Sequence, residues 1–195
     1  MLDQRKPIPP AALTDINRET KAMGFSMASD LWTGALLRTL AASKPHGAFL
    51  ELGTGTGMAT AWLLDGMDSE STLLTVDNDE EAVAVARRHL GKDPRVTFTV
   101  SEGASCLSKL LAERKMFDLI FADRWPGKYT HLEEAMQLVK TGGMYVVDDM
   151  LPQPNWPDDH PAKVATLIDR LVSHAGLRVS MLNCSTGVVI ASRTR

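Results

Sequence analysis

Glu51-Leu52-Gly53-Thr54-Gly55-Thr56-Gly57 is the stretch of this chain best suited to grip a small polar ligand. It follows the apolar run Ala48-Phe49-Leu50 and leads into Met58-Ala59-Thr60-Ala61-Trp62-Leu63-Leu64, so a strand feeds a glycine turn and then a helix, the architecture of a nucleotide-cofactor site. Glycines there let the backbone turn sharply and approach a ligand with no Cβ in the way. Their spacing narrows the ligand, because a dinucleotide loop sets its glycines at the first, third and sixth positions. Here the third glycine comes at the fifth position and Met58 takes the sixth. Acidic residues recur where apolar runs end: Asp77, Asp123, and the pair Asp148-Asp149. In an open α/β sheet ligands bind beyond the carboxyl ends of the strands, so these tips converge on the same place. Asp77, 20 residues after Gly57, can accept hydrogen bonds from both hydroxyls of a ribose and would repel a 2′-phosphate; the plainer alternative is that Asp77 or Asn78 caps the next helix.

The elements that must position these residues alternate strand and helix. Thr72–Val76 reads as a buried strand, Asn78 with Glu81 as a helix N-cap, residues 80–90 as a helix and Val96–Val100 as a third strand. A helix from Ala104 to about Glu113 and a strand Phe117–Ala122 follow. Thr130 with Glu133 makes a capping box for a helix carrying Leu132, Met136 and Val139 on one face, and Gly142-Gly143 stops it before the strand Met144–Val147. Pro161 suits a first helical position, with Val164, Leu167, Ile168, Leu171 and Ala175 on one face. Leu177–Leu182 and Val188–Ser192 are joined by five residues, enough for an antiparallel hairpin and too few for a parallel crossover. Residues 11–42 carry Leu31, Ala35, Leu36 and Leu40 at helical spacing and form one or two helices, part of which covers the ligand.

Composition bounds the rest. The 195 residues suit one domain, 1–195, divided into an N-terminal helical segment 1–46 and an α/β core 47–195. No apolar run approaches the roughly 20 residues needed to cross a bilayer, and residues 1–10 hold no apolar stretch of a secretory leader, which makes the cytoplasm the expected location. Cys106 and Cys184 stand far apart with no metal-ligand spacing. A net charge of −3 with scattered signs argues against nucleic acid as partner and for a small-molecule acceptor.

The pattern E-x-G-x-G-x-G over Glu51–Gly57 resembles motif I of the class I S-adenosylmethionine-dependent methyltransferases, and five β/α units with a terminal hairpin match the order of that class. The implied fold is α/β, a doubly wound seven-stranded Rossmann-like methyltransferase sheet with a C-terminal antiparallel hairpin. Val96–Val100 through Gly103-Ala104-Ser105, and Phe117–Trp125 followed by Tyr129, are similar to the catechol and caffeoyl-CoA O-methyltransferase-like family; the likeness runs from about residue 25 to the hairpin. By this resemblance Glu51, Gly53, Thr54, Gly55, Gly57, Asp77, Asn78, Gly103, Ala104, Ser105 and Asp123 hold S-adenosylmethionine, with Ser105 against the adenine. Ser105 also has a local explanation as a serine near the start of a helix.

Metal-dependent members of that family hold a divalent ion with an aspartate after the fourth strand and an Asp-Asn pair after the fifth, which here are Asp123 and Asp148-Asp149. Oxygen ligands suit Mg2+ or another hard divalent cation, which would lower the pKa of an acceptor hydroxyl. The chain departs from the pattern twice: Asp149 replaces the asparagine, and Pro126 stands where catechol-type enzymes carry a general-base lysine, with Lys128 two residues on. Asp123, Lys128 and Asp149 are therefore the catalytic candidates, while Arg124 and Lys128 offer an alternative in which the carboxylates are neutralised without metal. Trp125, Tyr129 and Trp156 are the substrate candidates, set to stack on a flat acceptor or simply to anchor loops, and His160 is a lone loop histidine able to act as a base. The expected activity is O-methylation of a small, aromatic-type hydroxyl acceptor. Two other readings stay open: an NAD-type oxidoreductase, and a methyltransferase-like protein that binds the cofactor without turnover. Relatives in this family are often homodimers.

Overall fold

Short apolar runs rich in Val, Ile, Leu and Phe can be buried on both faces only if helices cover the sheet above and below. The computed structural model, which describes residues 6–154 and 156–195, shows that arrangement. Residues 1–5 of the stretch read above as leaderless lie outside the described residues, as does Asn155. Strands β1 (Ala48–Leu52), β2 (Thr72–Asp77), β3 (Val96–Val100), β4 (Phe117–Ala122), β5 (Val139–Val147), β6 (Leu177–Leu182) and β7 (Val188–Arg193) form one sheet in the order β3-β2-β1-β4-β5-β7-β6. The first five strands are parallel and β7 runs antiparallel to both its neighbours. The doubly wound seven-stranded fold and the C-terminal hairpin are thus as the sequence indicates. The reversed strand β7 lies one place inboard, and β6 forms the edge.

Helices α1 (Leu13–Ala22), α2 (Leu31–Ala42) and α3 (Met58–Gly66) contribute Leu13, Ile16, Leu37, Ala41 and Met58–Leu64 to a core on one face. α5 (Gly103–Ala112), α7 (Leu132–Gln137) and α8 (His160–Ser173) contribute Leu107, Leu110, Leu132, Met136, Val164, Leu167 and Leu171 to the other. α4 (Glu80–Leu90) flanks β2 and β3, and is tied to α1 where Glu19 receives Arg88 at 2.7 Å and His89 at 2.7 Å. Among the described residues no helix is long and apolar enough to cross a membrane.

Several local expectations change. Asp79, not Asn78, caps α4, its carboxylate accepting from the Ala82 amide at 3.0 Å. The Thr130–Glu133 capping box does not form: His131 occupies the cap position at φ 55°, and the Thr130 hydroxyl turns back to the Trp125 carbonyl. α7 ends at Gln137, and Gly142-Gly143 lies within β5, in the stretch where its register with β4 shifts. A single turn, α6 (Trp125–Lys128), went unforeseen because Pro126 and Gly127 have non-helical backbone inside it.

The closest helix contact is α2 on α3. A Cβ added to Gly34 would stand 2.2 Å from Trp62 Cδ1, and that indole is fully buried beneath the Arg38 guanidinium, 4.8 Å from the ring. Gly34→Ala is therefore expected to cost about 1–3 kcal/mol by overpacking. Urea unfolding followed by circular dichroism measures it; an unchanged midpoint would show that the helices separate freely.

Candidate functional site

The carboxyl ends of β1, β2, β4 and β5 open on one edge, and the turns that leave them build the site. After β1 the chain turns through Gly53, Gly55 and Gly57 at φ 113°, 48° and 90°, a conformation that side-chain-bearing residues adopt only with strain. A Cβ at Gly57 would also meet the Ala86 methyl at 2.8 Å, so α4 packs directly on the loop. The Gly53 and Thr54 amides reach the Val76 carbonyl, and the Thr20 hydroxyl of α1 lies 2.8 Å from that of Thr56.

Beneath the loop lies Glu51, 0% exposed. One carboxyl oxygen accepts from Thr60 and Thr75, each at 2.5 Å; the other, Oε1, has no partner. Burial pushes this acid up to about 8, against the pull of the two threonine hydroxyls. Glu51 therefore carries a proton at neutral pH and braces the turn from below. It does not line the cleft, so the direct cofactor contact expected of it is not what this geometry offers.

Asp77 does face the loop. Its Oδ2 accepts from the Gly55 amide at 2.9 Å and its Oδ1 from the Asp79 amide at 3.0 Å. The Arg124 guanidinium, arriving from the turn after β4, pairs with Oδ1 at 2.8 Å and also bonds the Asn78 side chain. Asn78 in turn donates to Glu102 at 2.8 Å, closing the far side of the groove.

At the tips of β4 and β5, Asp123 and Asp148 face each other. Burial and the Asp148 carboxylate raise the Asp123 acid well above the usual carboxylate range, while the Lys128 ammonium draws it down. Asp148 is raised to about 6 by burial, against the hydrogen bond from Thr186. Its Oδ1 receives the Thr186 hydroxyl at 2.6 Å, the Asp149 amide at 2.9 Å and the Thr33 hydroxyl at 3.4 Å. Ser29 donates to Asp123 at 3.3 Å. Two buried carboxylates side by side suit a hard cation by their donor chemistry, with Asp149 behind them at φ 56°. Among the described residues, however, no three His, Cys, Asp or Glu side chains already enclose one point. Lys128, 4% exposed, supplies positive charge at the same spot.

An aromatic wall completes the site. Trp125 and Tyr129 meet edge to face with centroids 5.6 Å apart, Tyr129 and His160 likewise at 5.2 Å, while His160 and Trp156 lie tilted at 4.5 Å. The Tyr129 hydroxyl and His160 Nε2 are 3.0 Å apart. The turn carrying Trp125 and Tyr129 is pinned from within the core by the Tyr145 hydroxyl, which donates to the Gly127 carbonyl. Burial, then Lys128 and Lys163, hold His160 below its ordinary value, so its imidazole is neutral at pH 7.

Together these groups line a cleft of about 730 Å³, within the size range of small-molecule sites. Gly53, Asp77, Asn78, Gly103, Asp123, Trp125, Lys128, Tyr129, Asp148, Asp149 and Trp156 all face it, with Thr54 and Gly55 on a small side pocket. Gly57 caps α3 behind the loop; Ala104 and Ser105 sit on the first turn of α5, outside the lining, with Ser105 exposed. Residues 26–30 roof the cleft, as expected of part of the N-terminal segment.

The whole site falls within one recognisable sequence family. A family model described as O-methyltransferase matches residues 11–194. The chain belongs to the O-methyltransferase family. Relatives named as O-methyltransferases in Mycobacterium ulcerans and Mycobacterium marinum are each 35% identical over 118 residues, covering 58% of this chain and 52% of theirs. The chain thus matches about half the length of those relatives. Among solved structures, a Klebsiella pneumoniae protein described as an O-methyltransferase aligns with TM-score 0.82 at 24% identity, covering 97% of this chain and 92% of its own. The O-methyltransferase TomG of Streptomyces achromogenes, solved with SAM, aligns with TM-score 0.83 at 20% identity, covering 98% and 93%. At these identities the structural matches speak for the fold.

For this O-methyltransferase-family chain, Arg124 was foreseen as a counter-charge and pairs with Asp77, whereas sequence reasoning missed the hydroxyl groups that hold the other strand-tip carboxylates: Ser29, Thr33 and Thr186. None carries a local signal, since each reaches its partner from a distant segment. His160 was legible as a residue type, but its bond to Tyr129 was not.

The raised acid of Glu51 has a consequence for stability. Its folded value, about 8, lies above its ordinary 4.5, so its contribution is fully present below pH 4.5 and is lost as pH rises through about 8. Glu51→Gln removes that dependence. Urea midpoints across pH 5 to 9 are expected to shift steadily in the variant's favour relative to wild type; a gap constant with pH would show that Glu51 carries no proton.

Proposed function

We propose that this protein transfers a methyl group from S-adenosylmethionine to a hydroxyl oxygen of a small, aromatic-type acceptor. The observation that carries the reading is the sharing of one cleft by a glycine turn with a ribose-type acceptor, Asp77, and a cluster of carboxylates, a buried lysine and aromatic rings. The family match supports the reaction class. The cradle suits an adenosyl group: Gly53 and Gly55 leave backbone free to approach, and Asp77 already binds the donor groups of a guanidinium where two ribose hydroxyls would sit. Gly103 and the Asn78–Glu102 pair border the place for the base. About 730 Å³ has room for that cofactor together with a compact acceptor.

When bound, S-adenosylmethionine supplies a methyl group already activated on a sulfonium. The protein's own work is to align the acceptor oxygen and to manage its proton, and positioning of this kind lowers barriers by roughly 7–11 kcal/mol in favourable cases. Trp125, Tyr129 and Trp156 present ring faces and edges for a flat acceptor and keep water away from it. In this reading Asp123 or Asp149, both lining the cleft, accepts the hydroxyl proton, and the Lys128 ammonium steadies the oxygen as negative charge develops. Lys128, two residues beyond Pro126, is the lysine available on this turn. A divalent cation, held by Asp123, Asp148 and Asp149, would supply further acidification of the same hydroxyl.

The decisive experiment is turnover with S-adenosylmethionine and a panel of small dihydroxy-aromatic acceptors, with and without chelator, beside calorimetric titration with S-adenosylhomocysteine and NAD. Methylated product, S-adenosylhomocysteine binding and no NAD binding are expected; NAD binding alone would turn the reading to an oxidoreductase. Lys128→Met is expected to lower kcat by about 10²–10⁴ while leaving S-adenosylhomocysteine affinity unchanged. Activity indifferent to both chelator and Lys128→Met would overturn the proton-handling assignment. Asp77→Ala should weaken S-adenosylhomocysteine binding about tenfold or more, since it removes a hydrogen-bond acceptor for the ribose.

A further inference from the structure

Arg124 lies across the part of the groove that Asp77 would offer to a ribose. With the guanidinium in place the Asp77 side chain is 1% exposed, so its carboxylate is covered where it borders the cleft, whereas the Arg124 side chain remains 31% exposed and open to solvent. A carboxylate has about four acceptor positions. Three on Asp77 are filled, by the Gly55 amide, the Asp79 amide and Arg124. Two ribose hydroxyls need two positions, and the two amide bonds belong to the loop and to the entry of α4. Arg124 is the partner that can leave. It also bonds the Asn78 side chain, and its Cγ lies 2.8 Å from where a Gly53 Cβ would be, so its stem covers the glycine turn as well.

We propose that Arg124 is a displaceable strap: its guanidinium stands in for the ribose hydroxyls on Asp77 in the ligand-free protein, and the adenosyl group must lift it to bind. The inference rests on the S-adenosylmethionine reading and adds to it a residue that holds cofactor affinity down. Because the binding-competent state is the one with Arg124 withdrawn, apparent affinity is reduced by the fraction of molecules in that state. The position of Arg124 gives the strap a second end. It directly precedes Trp125, the first residue of the aromatic wall, so lifting the side chain and seating the acceptor involve the same turn.

The test is calorimetric titration with S-adenosylhomocysteine and with 5′-methylthioadenosine, which keeps the ribose and base and lacks the amino-acid end. Arg124→Ala and Arg124→Met are compared with wild type; the methionine keeps the stem over Gly53 and drops the charge, which guards against loss of fold. Both variants are expected to bind both ligands about 3- to 10-fold more tightly than wild type. In an Asp77→Ala background, where the strap has nothing to hold, the gain is expected to vanish. If wild type binds S-adenosylhomocysteine and the Arg124 variants bind it equally or more weakly, the strap is overturned and Arg124 is a direct cofactor contact or a bystander. If neither wild type nor variants bind it, the cofactor reading itself fails and the strap falls with it. Binding by the variants alone supports both.

Discussion

Parallel register is the constraint on which the site depends. Leu52 pairs with Val76 on one side and with Ala122 on the other, and Ala122 pairs with Val147. The next residues, Gly53, Asp77, Asp123 and Asp148, therefore leave the sheet side by side, at steps of roughly 4.8 Å. A slip of one residue in any pair would turn a tip side chain to the opposite face and break up the cluster. The apolar residues of β1, β4 and β5 prevent that slip, because nearly every one is buried against helices on one face or the other. Chemistry at the edge is thus held by hydrophobic burial in the interior.

That edge gathers more negative charge than water-free surroundings tolerate. The fold answers differently at each tip. Glu51, sealed in the core, keeps a proton and two threonine hydroxyls. Asp77 is matched by two amides and a guanidinium. Asp123 and Asp148 receive hydroxyls from Ser29 and Thr186 and share the field of a lysine that is itself buried. A proton, a pair of dipoles or a cation each lowers the cost of a buried carboxylate, and only the last two leave it charged for use.

What could be read from the sequence was whatever is written locally. The 1, 3, 5 glycine spacing, the acid at each strand tip and the apolar runs between them gave the sheet, its hairpin and most of the cleft lining. The failures arose where tertiary contacts override local preference. Asn78 looked like a cap, yet Asp79 has the geometry, because Asn78 is drawn off to Glu102 and Arg124. Gly142-Gly143 looked like a stop, yet the chain has already left α7 and passes through the pair within a strand. Thr130 looked like half of a capping box, yet the α6 turn claims its hydroxyl. The hydroxyl residues around Asp148 come from α2 and from the hairpin, separated from it by 115 and 38 positions, and no spacing rule connects them.

The inboard place of β7 also shapes the opening of the cleft. Because that strand is reversed, it is its entrance that meets the ligand edge. The connection before it is fastened to the segment after β5, Met150 and Leu151 donating to Gly187 and Thr186. The hairpin tip, the α6 turn and the Pro-rich approach to α8 thus gather around one half of the opening, while β1, β2 and β3 serve the other. Insertions or exchanges at the hairpin tip or in the Pro-rich approach to α8 can therefore reshape one half of the opening while the strand pairing that sets the glycine turn stays intact.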